Sequence, residues 1–162
     1  MQPIVPGSDW EPLPHGEWVV RLAIASKDSA SGRASPAAFQ LSTEDEKENP
    51  PRLSVWAEKN TTPNQAWILM GSKPEYCLAL RLETDKIRSI VPDPIQPMIK
   101  PLDVVWHPLF QNNGTGQSSP DPRPGASGHT GTSGLKDGSV PNKIQRKSLR
   151  SQLADMAEVM DL

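Results

Sequence analysis

After Phe110 the chain changes character: residues 111–143 hold seven Gly, four Pro and five Ser among 33 positions. Their clearly apolar side chains are few, Ala126, Leu135 and Val140. Ordering a residue costs roughly 1–2 kcal/mol of backbone entropy, and a stretch with so little to bury cannot offset that alone. The composition therefore predicts a flexible linker over residues 111–141. The material for a core lies ahead of it, including all five Trp, both Phe, the single Tyr and the single Cys. The 162 residues divide on this reading into a Pro-rich N-terminal segment (1–14), a compact domain (15–110), the linker (111–141) and a C-terminal helix (142–162). A domain of that size is viable without a metal or a disulfide.

Charge excludes several classes of partner. Seventeen Lys and Arg against nineteen Asp and Glu leave a net charge of −2. Such a balance gives no basic footprint for nucleic acid and no polybasic cluster for an anionic membrane. No apolar run reaches the length of a membrane span, and the first residues lack the charged and apolar parts of a secretory signal. The expectation is a cytoplasmic protein. The lone Cys77 allows neither an internal disulfide nor a multi-thiolate metal site.

Residues 18–25 alternate as a strand, with Trp18, Val20, Leu22 and Ile24 on one face and Arg21 on the other. Further strands are predicted at 53–57, 77–83, 89–91 and 103–106, short and dispersed as in a mainly antiparallel sheet. Thr62-Pro63-Asn64-Gln65 carries the signals of a helix start, an N-cap Thr, Pro at the first position and Gln at the third. Gly71 would end that helix. A further turn of helix is expected from Thr84. The fold class is thus α+β, a small mainly antiparallel sheet with one or two short helices, followed by a disordered linker and a C-terminal amphipathic helix.

In that last helix Asn142 and Gln145 repeat the capping pattern, and Leu149, Leu153, Met156 and Met160 form one narrow apolar stripe. Basic residues crowd its first half and acidic ones its second, against the helix dipole. A lone helix of this kind is marginal in water, so it must dock. The linker is long enough to return it to its own domain; another protein, or a second copy of the chain, is the other acceptor.

Gly32-Arg33-Ala34-Ser35-Pro36-Ala37-Ala38-Phe39, followed after a polar gap by Leu53-Ser54-Val55-Trp56, resembles the R-P-S-S-A-A-F … L-S-V-Y signature of a family of small bacterial proteins of unassigned activity. The short capped helix, Val91-Pro92-Asp93-Pro94 and the late His107 extend the resemblance over roughly residues 15–110. The chain departs from the signature at Pro36, at Trp56 and at Trp106-His107-Pro108. The resemblance implies relatives rather than a reaction.

Two functional readings follow. The leading one is a non-catalytic, protein-binding accessory module without a cofactor, whose contacts come from Leu149, Leu153, Met156 and Met160, which suit a groove, and from Trp10 in the Pro-rich segment. The alternative is a small enzyme or toxin-type effector with a pocket around Arg33, Ser54 and His107. An ADP-ribosyltransferase-like variant would use Arg21, Ser54 and Glu83 in that order. No G-x-S-x-G elbow surrounds a serine and no phosphate loop is present. His15, His107 and His129 lack metal-ligand spacing, His129 falling inside the predicted linker, so no metal is expected. Cys77 reads as a small buried hydrophobe.

Overall fold

The computed structural model describes residues 2–24, 29–30, 33–71, 77–112, 114 and 118–160. Ten strands are described: β1 (Trp18–Ile24), β2 (Ser29–Ala30), β3 (Arg33–Ala34), β4 (Arg52–Ala57), β5 (Cys77–Glu83), β6 (Asp103–Trp106), β7 (Phe110–Asn112), β8 (Ser118–Pro120), β9 (His129–Ser133) and β10 (Glu158–Val159). Six of them form one antiparallel sheet in the order β10-β5-β1-β4-β9-β6. The helices are α1 (Pro63–Met70), α2 (Thr84–Arg88) and α3 (Lys143–Met156). The class is α+β, as the sequence implies. No helix among the described residues is long and apolar enough to cross a membrane.

The helix ends follow their local chemistry. Thr62 Oγ1 accepts from the Gln65 amide and Gln65 Oε1 from the Thr62 amide, which satisfies two otherwise orphaned donors of α1. Gly71 closes that helix at φ +69°, a left-handed conformation that costs an L side chain but not glycine. Asn142 and Gln145 make the same reciprocal pair at the start of α3.

Alternation along the strands gives the sheet two differently covered faces. On the first, Val19, Leu53, Val55, Leu80, Leu82 and Val104 meet Phe39, Ile87, Leu149 and Leu153 in one buried cluster. Packing of α3 against the turn Pro36–Phe39 seals this side. On the second, Val20, Leu22, Trp56 and Ala79 pack under Ala66 and Trp67 of α1. This short helix covers only part of its face.

Several expectations are corrected. Residues 118–141 are not a linker: they hold β8, a helical turn at Ala126–Gly128, and β9, an inner strand between β4 and β6. Residues 113 and 115–117 of the same stretch lie outside the described residues. Composition misled because β9, His129-Thr130-Gly131-Thr132-Ser133, buries threonines instead of aliphatic residues. Thr130 and Thr132 are 0% and 2% exposed, and the Thr130 hydroxyl donates to the Val55 carbonyl at 3.0 Å, which removes the cost of burying it. The compact unit therefore extends well past residue 110. It also includes part of the N-terminal segment, because residues 10–13 run along the outer edge of β6, with Leu13 N bonding Val104 O and Trp106 N bonding Glu11 O. That contact covers an otherwise open sheet edge. Residues 89–91 are not a strand; Ser89 N and Ile90 N bond back to carbonyls of α2 and finish it as a tight turn. The last helix ends at Met156 instead of continuing to 162, and β10 then pairs with β5.

Candidate functional site

β1 is paired with β5 along its whole length, from Trp18–Glu83 to Ile24–Cys77. With β4 the pairing among the described residues is Val19–Ala57 and Val20–Trp56. The Arg21 guanidinium bonds two main-chain carbonyls: Arg21 Nη1 donates to the Ser54 carbonyl at 3.0 Å and Nε to the Ala38 carbonyl at 2.9 Å. A cleft of about 680 Å³ lies there, lined by Arg21, Leu22 and Ile24 of β1, Arg52 and Ser54 of β4, and His107 and His129, with Met70 at the end of α1.

Period-two alternation puts Arg52, Ser54 and Trp56 on the second face of the sheet, and the register opposes them to Ser133, Gly131 and His129 of β9. Ser54 Oγ lies 2.8 Å from His129 Nε2, and His129 Nδ1 lies 2.7 Å from the His107 carbonyl oxygen. A carbonyl can only accept, so the proton sits on Nδ1 and the Nε2 lone pair faces the serine hydroxyl. The imidazole is held between Trp56 and His107, with ring centroids 4.7 and 4.8 Å away. It is 7% exposed. Burial pushes its pKa down to about 4 against the partial compensation of the carbonyl bond, so the ring is neutral near pH 7.

A second layer holds this pair. His107 Nε2 is 2.9 Å from Glu48 Oε1, and Arg52 Nη2 donates to Glu48 Oε2 at 3.1 Å. Burial and the nearby Arg52 charge hold the His107 pKa below its ordinary value, against an opposing pull from Glu48 and Asp9. Arg52, its side chain 1% exposed, also donates to Asp9 Oδ1 at 2.6 Å and lies 3.9 Å over the Trp10 ring. Its aliphatic stem crosses β9 at Gly131, where an added Cβ would come within 2.8 Å of Arg52 Cβ. Only glycine leaves room for that crossing.

The structure brings Ser54 and His107 of the sequence-predicted pocket together and leaves Arg33 out. Arg33 is exposed on β3 and does not line the cleft, the physical reason being that its strand pairs with β2 in a separate two-stranded sheet. Of the ADP-ribosyltransferase-like set, Arg21 and Ser54 share the cleft, whereas Glu83 sits opposite Trp18 at the other end of β1. His129, Arg52 and Glu48 are residues that sequence reasoning missed. His129 was hidden by the glycines and serines around it; its signal was the β-branched alternation of Thr130 and Thr132.

Of the two acceptors expected for the apolar stripe, its own domain and a partner, the structure shows the first. Leu149 and Leu153 are 0% and 1% exposed inside the core of their own chain, and Met156 packs partly against the same cluster. Met160 packs against the cluster on the opposite face. The stripe is spent on self-docking because α3 closes the first face of the sheet. Trp10, half-buried, supports Arg52 rather than standing free. The side chain of Cys77 lies outside the described residues. His15, on the surface, pairs with Asp85 at 3.0 Å, and that contact holds the Asp85 carboxyl below its ordinary pKa. Among the described residues no group of three or more His, Cys, Asp or Glu side chains converges as a metal site.

Compared with family models, with curated proteins and with solved structures, the chain matches none.

Proposed function

We propose that the cleft is the active site of a small hydrolytic or acyl-transferring enzyme in which Ser54 is the nucleophile and His129 its general base. The observation that carries this reading is the 2.8 Å contact between Ser54 Oγ and a neutral His129 Nε2 whose other nitrogen is fixed by a carbonyl. Nucleophile, base and orienting acceptor then stand in the order that serine activation requires, with a backbone carbonyl where a carboxylate is more usual. In the first step Ser54 Oγ bonds to the substrate carbonyl carbon while its proton passes to His129 Nε2. The carbon–oxygen bond to the leaving group breaks and the alcohol departs with that proton. Water then attacks the acyl-serine through the same imidazole and restores the free hydroxyl. Arg21, anchored on the Ser54 carbonyl, is the cation that offsets negative charge developing beside the serine.

The test is covalent labelling with a fluorophosphonate, in which a phosphorus–oxygen bond forms at serine and fluoride leaves. A single adduct on the Ser54 peptide is expected, absent in Ser54→Ala and formed at least ~100-fold more slowly in His129→Gln. An adduct unchanged in Ser54→Ala, or no adduct on the folded chain, would overturn the reading.

A second reading, recognition of another protein, keeps one supporting observation. Ile95, Met98 and Ile99 are 88%, 89% and 51% exposed on a turn braced by the bond from Ile95 N to Asp93 Oδ1. If that turn is the contact, Met98→Glu abolishes partner capture while Ser54 labelling persists.

A further inference from the structure

We infer that the basic stripe of α3 is a docking surface for a short acidic segment of another protein. It is independent of the serine–histidine reading, because α3 seals the first face of the sheet, whereas Ser54 and His129 meet on the second.

Four cations make the stripe. At the usual rise and rotation of a helix, Lys143, Arg146, Lys147 and Arg150 fill a sector of roughly 100° over about 10 Å of α3. Elsewhere in the chain Lys47, Lys59, Arg81, Arg88, Arg123 and Lys136 each form an ion pair with a carboxylate. None of the four α3 cations does so among the described residues. Arg146 Nε donates to the Pro141 carbonyl at 2.7 Å, a bond that leaves its charge unbalanced. Helix stability does not account for the stripe: it stands toward the positive end of the helix dipole, where a cation is unfavourable, and the first turn holds no acid to offset it. Buried Leu149 and Leu153 anchor the helix to the core, so the charges are presented at a fixed spacing.

The stripe selects the chemistry of its partner. A helical segment with carboxylates three and four residues apart repeats the same spacing. Ile144 and Val140, 82% and 65% exposed, lie at the same end, so the segment carries an apolar side chain beside its acids. Duplex nucleic acid or an anionic bilayer is a poorer fit, since an extended polyanion also meets the nineteen Asp and Glu of a chain whose net charge is −2. A phosphodiester backbone, moreover, makes no use of the two apolar side chains. A short acidic peptide meets the stripe alone.

The experiment is fluorescence anisotropy with the full chain at near-physiological salt. The probe is a fluorescein-labelled peptide of about twelve residues, Glu throughout with one central Leu, beside versions with Gln for Glu and Ala for Leu. Saturable binding of the Glu peptide is expected, at least ~10-fold tighter than the Gln version and about threefold tighter than the Ala version. Lys143→Glu with Lys147→Glu should raise Kd at least ~10-fold. Lys47→Glu with Lys86→Glu, the same charge change made elsewhere, should leave it within about twofold. In Ile144→Ser the preference for Leu over Ala should disappear. Carboxylates suit the positive end of a helix, so Lys143→Glu with Lys147→Glu should keep or raise the urea midpoint; a lower midpoint would make these cations structural and overturn the inference. Equal losses in the two charge-changed pairs, no saturation with the Glu peptide, a Leu preference that persists in Ile144→Ser, or tighter binding of a DNA duplex or of phosphatidylserine vesicles would each overturn it as well.

Discussion

The two flanks of β1 are built by different means. Toward β5 every residue from Trp18 to Ile24 has a strand partner; toward β4 the pairing among the described residues is Val19–Ala57 and Val20–Trp56. On that side the Arg21 guanidinium bonds the Ser54 carbonyl, and the space beside it is the cleft. Aliphatic packing covers the first face on both sides of β1, and only the β4 side adds, on the second face, a chain of polar contacts from Ser54 through His129 and His107 to Glu48 and Arg52. The difference teaches that the aliphatic core and the polar chain are separated by the two faces of the sheet.

Breaking the aliphatic core should have the largest effect. Leu80 faces the sealed core at 0% exposure, so Leu80→Ala leaves a cavity and should cost about 2–5 kcal/mol in urea unfolding. In the polar chain Ser54→Ala removes one hydrogen bond and should cost only about 1 kcal/mol while removing the covalent adduct entirely. Comparable losses from the two changes would erase the distinction between the two faces.

Acid probes the polar chain next. The folded-state pKa of His129 is lowered to about 4 from an ordinary 6.5, so the unfolded chain takes up a proton that the folded chain refuses. The resulting stability is fully present above pH 6.5 and is lost as pH falls through about 4, on the order of 3 kcal/mol for this one group. Urea midpoints measured from pH 7 to pH 4 should therefore fall more steeply for the native sequence than for His129→Gln. Parallel slopes would mean that the imidazole is not held neutral by burial. His107, shifted in the same direction, contributes to both proteins and so cancels in the comparison.

Gly131→Ala tests the support beneath the site. The new methyl would meet Arg52 Cβ at 2.8 Å and Cδ at 3.2 Å, forcing the guanidinium stem off its course toward Asp9 and Glu48. Overpacking of this kind costs about 1–3 kcal/mol. Because Glu48 also holds His107, fluorophosphonate labelling should slow as well. A stability loss with unchanged labelling would show that the polar chain does not position the pair.

The aliphatic strands were far more legible in the sequence than β9. Strands at 18–24, 52–57, 77–83 and 103–106 announce themselves by β-branched and aliphatic runs, and α1 by Thr62, Pro63, Gln65 and Gly71. Such signals are local, and local chemistry sets those elements. β9 is not legible in that way. It depends on Thr130, whose hydroxyl is satisfied by the distant Val55 carbonyl, and on a glycine needed only because Arg52 crosses it, facts that exist once β4 and β9 are paired. Ser54 and His107 were therefore within reach of sequence reasoning, while His129, whose Nε2 faces the Ser54 hydroxyl, was not.

The smallest expected effect separates two arginines. Arg52 is buried in the polar chain behind the cleft, whereas Arg33 lies exposed on the β2–β3 hairpin and borders no part of it. Substitution at an exposed position without buried partners usually changes stability by less than about 0.5 kcal/mol. Arg33→Ala should then leave both the urea midpoint and the rate of Ser54 labelling at their native values, and Arg52→Met should depress the labelling rate by removing the clamp on Glu48. A loss of labelling in folded Arg33→Ala would move the site toward the hairpin and open the cleft's boundary to revision. Native behaviour in both variants would instead confine the chemistry to Ser54, His129 and the carbonyl that holds them, with the Arg52 network reduced to packing.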